Sequence, residues 1–190
     1  MSQTPRAWAD LAAASLSVFL ADHAVCEQQA ALAALNMVAH YPEDAMLVDR
    51  MTSLAAEEVL HLRRVSALLH DRGLHPGRRR SNPYVGALRA RIVTQRGPRL
   101  KTDRLLVGAL IEARSCERFT RLLEVIRERD SQVAELLFDL GPAEKRHWEM
   151  FFDLASRDAE PRWLAEHWRG WLEFEGQVND RGGRAPTVHG

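Results

Sequence analysis

The sequence predicts an all-α protein built as a bundle of four long helices, on three observations. Alanine and leucine are the commonest members of an apolar fraction of 46% in 190 residues, and both favour helix. Apolar residues recur at three- and four-residue spacing through four long segments. Prolines fall between those segments, with one exception at Pro142.

Taken in order, Thr4-Pro5 reads as an N-cap followed by proline at the first helical position. A helical pattern then runs to about His40, with a break expected near Ser15, and Tyr41-Pro42 ends it. The second long helix spans roughly Glu43 to His70 and stops at Gly73. Residues 74–102 are loop-rich, with Pro76, Gly77, Pro83, Gly97 and Pro98. Within them a short helix starts at Pro83, capped by Asn82. The third long helix covers about Asp103 to Arg129, and the fourth Ser131 to Ser156. Gly141-Pro142 fall inside the fourth. Either a helix restarts at Pro142, or a kink there widens whatever lies beside it. Pro161 opens a short helix whose Trp163, Trp168 and Trp171 pack on the bundle. The chain thus reads as one domain, 1–175, with short extra helices near both ends and between the second and third long helices. The tail, 176–190, reads as disordered.

Composition excludes several classes of function. Net charge is zero, so bulk charge names no partner. Two cysteines, Cys26 and Cys116, make no disulfide framework, and a reducing cytoplasm is the simpler setting. No apolar run reaches ~18 residues, so no membrane span is expected. The stretch from Leu11 to Ala21 is bracketed by Asp10 and Asp22 and reads as mature protein rather than a signal. Charge is uneven, however. Ten Arg or Lys and one acid, Asp103, lie between Arg72 and Arg104.

The inner seam of each helix carries the chemistry. The first reads Leu16, Leu20, His23, Glu27, Ala30, Ala34, Met37. The second reads Leu47, Met51, Leu54, Glu58, His61, Val65, Leu68. The third reads Leu105, Ala109, Glu112, Cys116, Phe119, Leu123, Ile126. The fourth reads Val133, Leu137, Leu140, Glu144, His147, Phe151, Leu154. Each stripe is apolar except near its middle, where a glutamate turns inward, and two helices add a histidine one turn on. Two E-x-x-H pairs are within what chance supplies; their shared phase is the informative part. Glu27 and Glu112 are 85 residues apart, and Glu58/Glu144 and His61/His147 are 86 apart, so the set repeats as two helical hairpins. This repeat selects Glu112 on the third helix, with Glu117 as the alternative. Four unpaired carboxylates in a core would be costly, and two divalent cations would neutralise them. Carboxylates with a few imidazoles suit iron or manganese. One Glu from each of two helices plus Glu-x-x-His from the other two is the ferritin-like di-iron pattern. Cys116, beside it, reads as a small core hydrophobe.

HAVCEQQAALAAL, SLAAEEVLHLRRV, SNPYVGALR and above all LLVGALIEARSCERF resemble the tRNA 2-methylthio-N6-isopentenyladenosine hydroxylases over roughly residues 5–156. The resemblance implies a ferritin-like, cytoplasmic di-iron monooxygenase that uses O2 to hydroxylate the isopentenyl group of a modified adenosine beside the anticodon. It implies Glu27, Glu58, His61, Glu112, Glu144 and His147 as iron ligands. No acid–base pair separate from the metal centre is evident. The chain departs from the family pattern at Gly141-Pro142 and in a short N-terminus. No flavin, nucleotide or cysteine-cluster motif supplies electrons, so an external donor, a reductase or ferredoxin-type protein, is expected. Nothing demands more than a monomer.

The basic segment suits an RNA partner. Arg78, Arg79, Arg80, Arg89, Arg91, Arg96, Arg99, Lys101 and Arg104 are candidates for phosphate contacts, and Tyr84 for stacking on a base. The plain alternative is a solvated loop paired with acidic helices. Two other functions fit part of the pattern. A rubrerythrin-type peroxidase or ferroxidase needs the six ligands but no basic loop. A non-catalytic RNA-binding helical domain needs the loop but no metal.

Overall fold

A computed structural model of the chain describes residues 1–78, 82–92, 98–182 and 185–189. Among these residues there are seven helices and no strand: α1 Arg6–Ala14, α2 Leu16–His40, α3 Ala45–Asp71, α4 Pro83–Ala90, α5 Pro98–Ile126, α6 Ser131–Arg157 and α7 Pro161–Arg181. The four long bundle helices are α2, α3, α5 and α6. They pack as two antiparallel hairpins, α2 on α3 and α5 on α6, and the hairpins meet chiefly through α3 and α6.

Short polar side chains set the helix starts. Asp44, Asn82 and Asp130 accept from the backbone N–H of Leu47, Val85 and Val133, each satisfying a donor left over in a first turn. Ser15 breaks the first pattern as expected, and α1 turns from α2 by 101° there. No single helix among the described residues is long and apolar enough to cross a membrane.

Four expectations change. Thr4 is not a cap. Pro5 occupies that position, and the Thr4 backbone N–H and hydroxyl donate instead to Glu117 on α5, at 2.8 and 2.5 Å. α5 starts at Pro98 rather than Asp103. α6 runs unbroken through Pro142. The proline removes one bond to the carbonyl of Phe138, on a turn whose side chain is 63% exposed, so water can take the freed acceptor. The largest change is at the end of the chain. α7 has 21 residues and continues to Arg181, and Thr187, Val188 and His189 are buried. The described residues from 176 onward therefore pack where disorder was expected. The helix is anchored by apolar and polar contacts together. Trp171 is buried and its indole N–H donates to Asp103 at 3.1 Å, while Trp168 packs on Phe152.

The core falls into two apolar halves. One gathers Trp8, Phe19, Leu69, Phe119 and Leu137 around α1. The other gathers Met37, Met51, Leu105, Phe151 and Trp171 under α4 and α7. Between them, in register on all four bundle helices, lies a layer of buried acids and imidazoles.

Candidate metal centre

Glu27, Glu58, His61, Glu112, Glu144 and His147 are all buried and all lie in that layer. They form two overlapping groups whose possible ligand atoms stand within 4.8 Å of one another. One is Glu27, Glu58, His61 and Glu144; the other is Glu58, Glu112, Glu144 and His147. Glu58 and Glu144 belong to both. Each group could hold a metal ion, with Glu27 and His61 found only in the first and Glu112 and His147 only in the second. Glu117 lies away from it, on Thr4, Arg114 and Arg121.

The distances show how tightly the groups converge. The Nδ1 of His147 is 2.9 Å from one Glu58 oxygen, and the Nδ1 of His61 is 3.3 Å from the other. Glu27 lies 3.7 Å from the same His61 nitrogen. Glu58 Oε1 and His147 Nδ1 are buried yet lack a hydrogen bond of sound geometry. Buried polar atoms are rarely left so, and these two stand only 2.9 Å from each other. Four carboxylates with neutral imidazoles suit a pair of divalent cations in charge and in donor type. The residues fit the metal pair that their pattern implies.

Electrostatics without metal point the same way. Burial pushes Glu58 up to about 7, against the close imidazoles of His147 and His61 that favour its ionised form. Burial also raises Glu112. It raises Glu144 well above the carboxylate range, helped by the charges of Glu112, Glu27 and Glu58. Burial opposes the charged form of His61, but hydrogen bonds to Glu27 and Glu58 win and lift it to about 9. Like charges crowded in a dry space hold protons until cations replace them.

Two supporting residues had no role assigned from the sequence. His23 is fully buried and places Nε2 2.5 Å from Glu27. Burial would raise Glu27, yet the His23 charge and its hydrogen bond hold that carboxylate well below its usual range. Glu57 accepts from the Nε2–H of His147 at 3.2 Å, leaving Nδ1 to face the cluster. A carboxylate on the far nitrogen orients a ligating imidazole. His23 stood on the inner stripe one turn before Glu27. Glu57 gave no signal beyond adjacency to Glu58.

The IEARSCERF segment now has a physical reading. Glu112 faces the cluster. Arg114 and Arg118, on another side of α5, are buried and tie down both chain ends. Arg114 pairs with buried Glu175 of α7 at 2.7 Å and donates to the Ser2 carbonyl. Arg118 donates to the Val188 carbonyl and to Asn179, and lies over the Trp8 ring. His189 then enters between α2 and α5. It meets Ser115 at 3.1 Å and Cys26 at 3.7 Å, with its ring stacked on Tyr84.

The proposed RNA contacts fare unevenly. Tyr84 is corrected: it is buried, its hydroxyl donates to Glu175, and its ring stacks on His189, so no base can reach it. Lys101 is held between Asp44 and Asp158, and Arg91 lies over Phe174 and Trp171. Arg78 and Arg89 are exposed. Arg99 lies over Trp163, and Arg104 reaches Tyr41. Arg79, Arg80 and Arg96 lie outside the described residues.

Comparison with known proteins agrees with this geometry. The chain is 37% identical over 152 residues to a tRNA 2-(methylsulfanyl)-N(6)-isopentenyladenosine(37) hydroxylase of Pseudomonas putida, covering 80% of this chain and 72% of that one. It is 27% identical over 204 aligned residues to the protein of the same name from Salmonella typhimurium, covering 81% and 74%. A solved structure, protein 43 with aldehyde deformylating oxygenase activity from Synechococcus, superposes with a TM-score of 0.92 at 31% identity, over 99% of this chain and 94% of that one. The family model for tRNA-(MS[2]IO[6]A)-hydroxylase (MiaE) matches residues 1–189, and the chain belongs to that family.

Proposed function

We propose that this chain hydroxylates tRNA, inserting one oxygen atom of O2 into the isopentenyl group of 2-(methylsulfanyl)-N(6)-isopentenyladenosine beside the anticodon. The balance requires two electrons and two protons, with water as the second product, so an external reductase or ferredoxin-type donor is part of the reading. The observation that carries it is the named relative at 37% identity over most of both chains, together with the six buried groups that converge between two apolar halves.

Glu27 with His61, and Glu112 with His147, would hold the outer sides of two irons, with Glu58 and Glu144 shared between them. The pair would supply the O2 activation that an unactivated C–H bond needs. The protein's part is positioning and shielding. His23 fixes the Glu27 carboxylate and Glu57 fixes the His147 ring. The apolar layers above and below exclude water from a reactive oxidant. The setting is a cytoplasmic, monomeric enzyme.

The test is nucleoside mass spectrometry of hypomodified tRNA after incubation with iron-loaded protein, reductant and O2. The expected product is the prenylated nucleoside with one added oxygen, and an unchanged nucleoside profile overturns the reading. A second reading, deformylation of an aldehyde, is favoured by the similarity to the Synechococcus protein. The same preparation supplied with a long-chain aldehyde distinguishes the two by release of formate.

A further inference from the structure

The seam between α2 and α5 packs less closely than either hairpin, and a half-open cavity of about 720 Å³ lies along it. That volume is within the range of small-molecule sites, ~300–1,000 Å³. Its walls follow α2 from Gln28 to Met37 and α5 from Leu100 to Ile111, a length of roughly 14–16 Å at helical rise. One end abuts the acidic layer by register: Gln28 follows Glu27, and Ile111 precedes Glu112. Gly108 and Phe151, which also line it, are one turn from Glu112 on α5 and from His147 on α6. Toward the other end the Arg104 guanidinium reaches Tyr41, just past the end of α2, and Arg89 of α4 also lines the space.

The cavity is shaped as well as placed. A Cβ on Gly108 would come within 2.7 Å of the Phe151 ring. The missing side chain lets that ring lie on the α5 backbone, beside the inner end of the space. The α2 wall carries Leu32, 60% exposed, an apolar group turned to water with amides at Gln28, Gln29 and Asn36 around it. Near the metal layer the lining is apolar on the α5–α6 side, with Gly108, Ile111 and Phe151, and carries amides on the α2 side, with Gln28, Gln29 and Asn36; arginines lie toward the rim. An apolar chain on a flat polar heterocycle attached to a phosphate backbone presents the same three kinds of group.

We infer that this cavity receives the modified adenosine, prenyl group innermost beside Gly108 and Phe151, base along the amides of α2, with Arg104 on a neighbouring phosphate. The inference rests on the tRNA reading and deepens it. Apolar burial discriminates by side chain, whereas the rim cation reads only the backbone.

The test measures binding of labelled anticodon stem–loops, prenylated and unprenylated, to iron-loaded protein without reductant. Wild-type protein should prefer the prenylated stem–loop by at least about tenfold, given ~0.8 kcal/mol for each buried methylene-sized group. Ala33→Trp, and independently Asn36→Trp on the exposed wall, should narrow that preference to within about twofold at unchanged iron content. Arg104→Gln should weaken both stem–loops by a similar factor and preserve the preference. A folded, iron-loaded tryptophan variant that keeps the full preference overturns the cavity assignment, even where the wild-type protein hydroxylates tRNA. A wild-type protein that hydroxylates no tRNA and prefers neither stem–loop overturns the tRNA reading itself. A cavity that takes a long-chain aldehyde and not the stem–loop shows the assigned occupant to be wrong.

Discussion

Glu112 and Glu117 lie five residues apart on α5 and face different neighbours. The first shares a dry layer with three other carboxylates; the second holds Thr4 and two arginines near the surface. Their substitutions should separate cleanly. Glu112→Gln should drop iron from about two to one or fewer per chain, read by metal analysis, without lowering the melting temperature of the metal-free protein, because it removes one of several repelling buried charges. Glu117→Gln should keep its iron but cost about 1–2 kcal/mol through the loosened N-terminal segment, read in denaturant unfolding. Protons compete with metal at the same layer. Glu58 sits at about 7, with Glu112 and Glu144 also raised. Iron affinity should therefore rise with pH through about 7 and on toward about 9, where His61 also gives up its proton, and loading a lightly buffered sample should release protons, measurable by titration with a pH indicator. The inward position of Glu112 in the acidic layer was legible in the sequence from the near-equal repeat of the two hairpins. The support given by Glu57 was not, because side chains at adjacent helical positions point about 100° apart and only the packing of α3 against α6 brings Glu57 to His147.

At the scale of single elements, the long helices were legible because each has an unbroken apolar stripe. The start of α5 at Pro98 and the second half of α7 were not. α7 looks polar and tail-like in its second half, and its stability comes from partners far away in the chain. Arg114 finds Glu175 at a separation of 61 residues, a pairing with no local trace. Removing the acid should be expensive, since a buried guanidinium would lose its partner: Glu175→Ala should cost about 3–5 kcal/mol, seen as a lower unfolding midpoint with α7 signals lost first in hydrogen exchange. α6 offers the opposite case. Pro142 sits in a continuous helix, so Pro142→Ala restores a donor toward the Phe138 carbonyl. The variant should be more stable by up to about 3 kcal/mol, read from thermal unfolding, with unchanged iron content.

On the whole-molecule scale, both ends of the chain converge on α5, and one titrating group reports on that closure. Burial holds His189 down to about 3, with the Arg118 charge adding to the effect. The ring enters the fold neutral. Unfolded, it gains a proton below about 6.5, so its docking is fully favourable above that pH and weakens steadily as pH falls toward 3. Limited proteolysis should find residues 185–189 more readily cleaved at pH 5 than at pH 7.5, and His189→Phe should reduce the difference. Sequence periodicity could not show this, because a five-residue segment has no period and its burial depends on four separate helices.

The position of His189 between Cys26 and Ser115 also separates two tasks along the chain. Residues 185–189 supply none of the six clustered groups, yet they meet Trp8 of α1, Asp22 of α2, Tyr84 of α4 and Ser115 of α5. One set of positions gathers the acidic layer, and a different, distant set staples the helices around it.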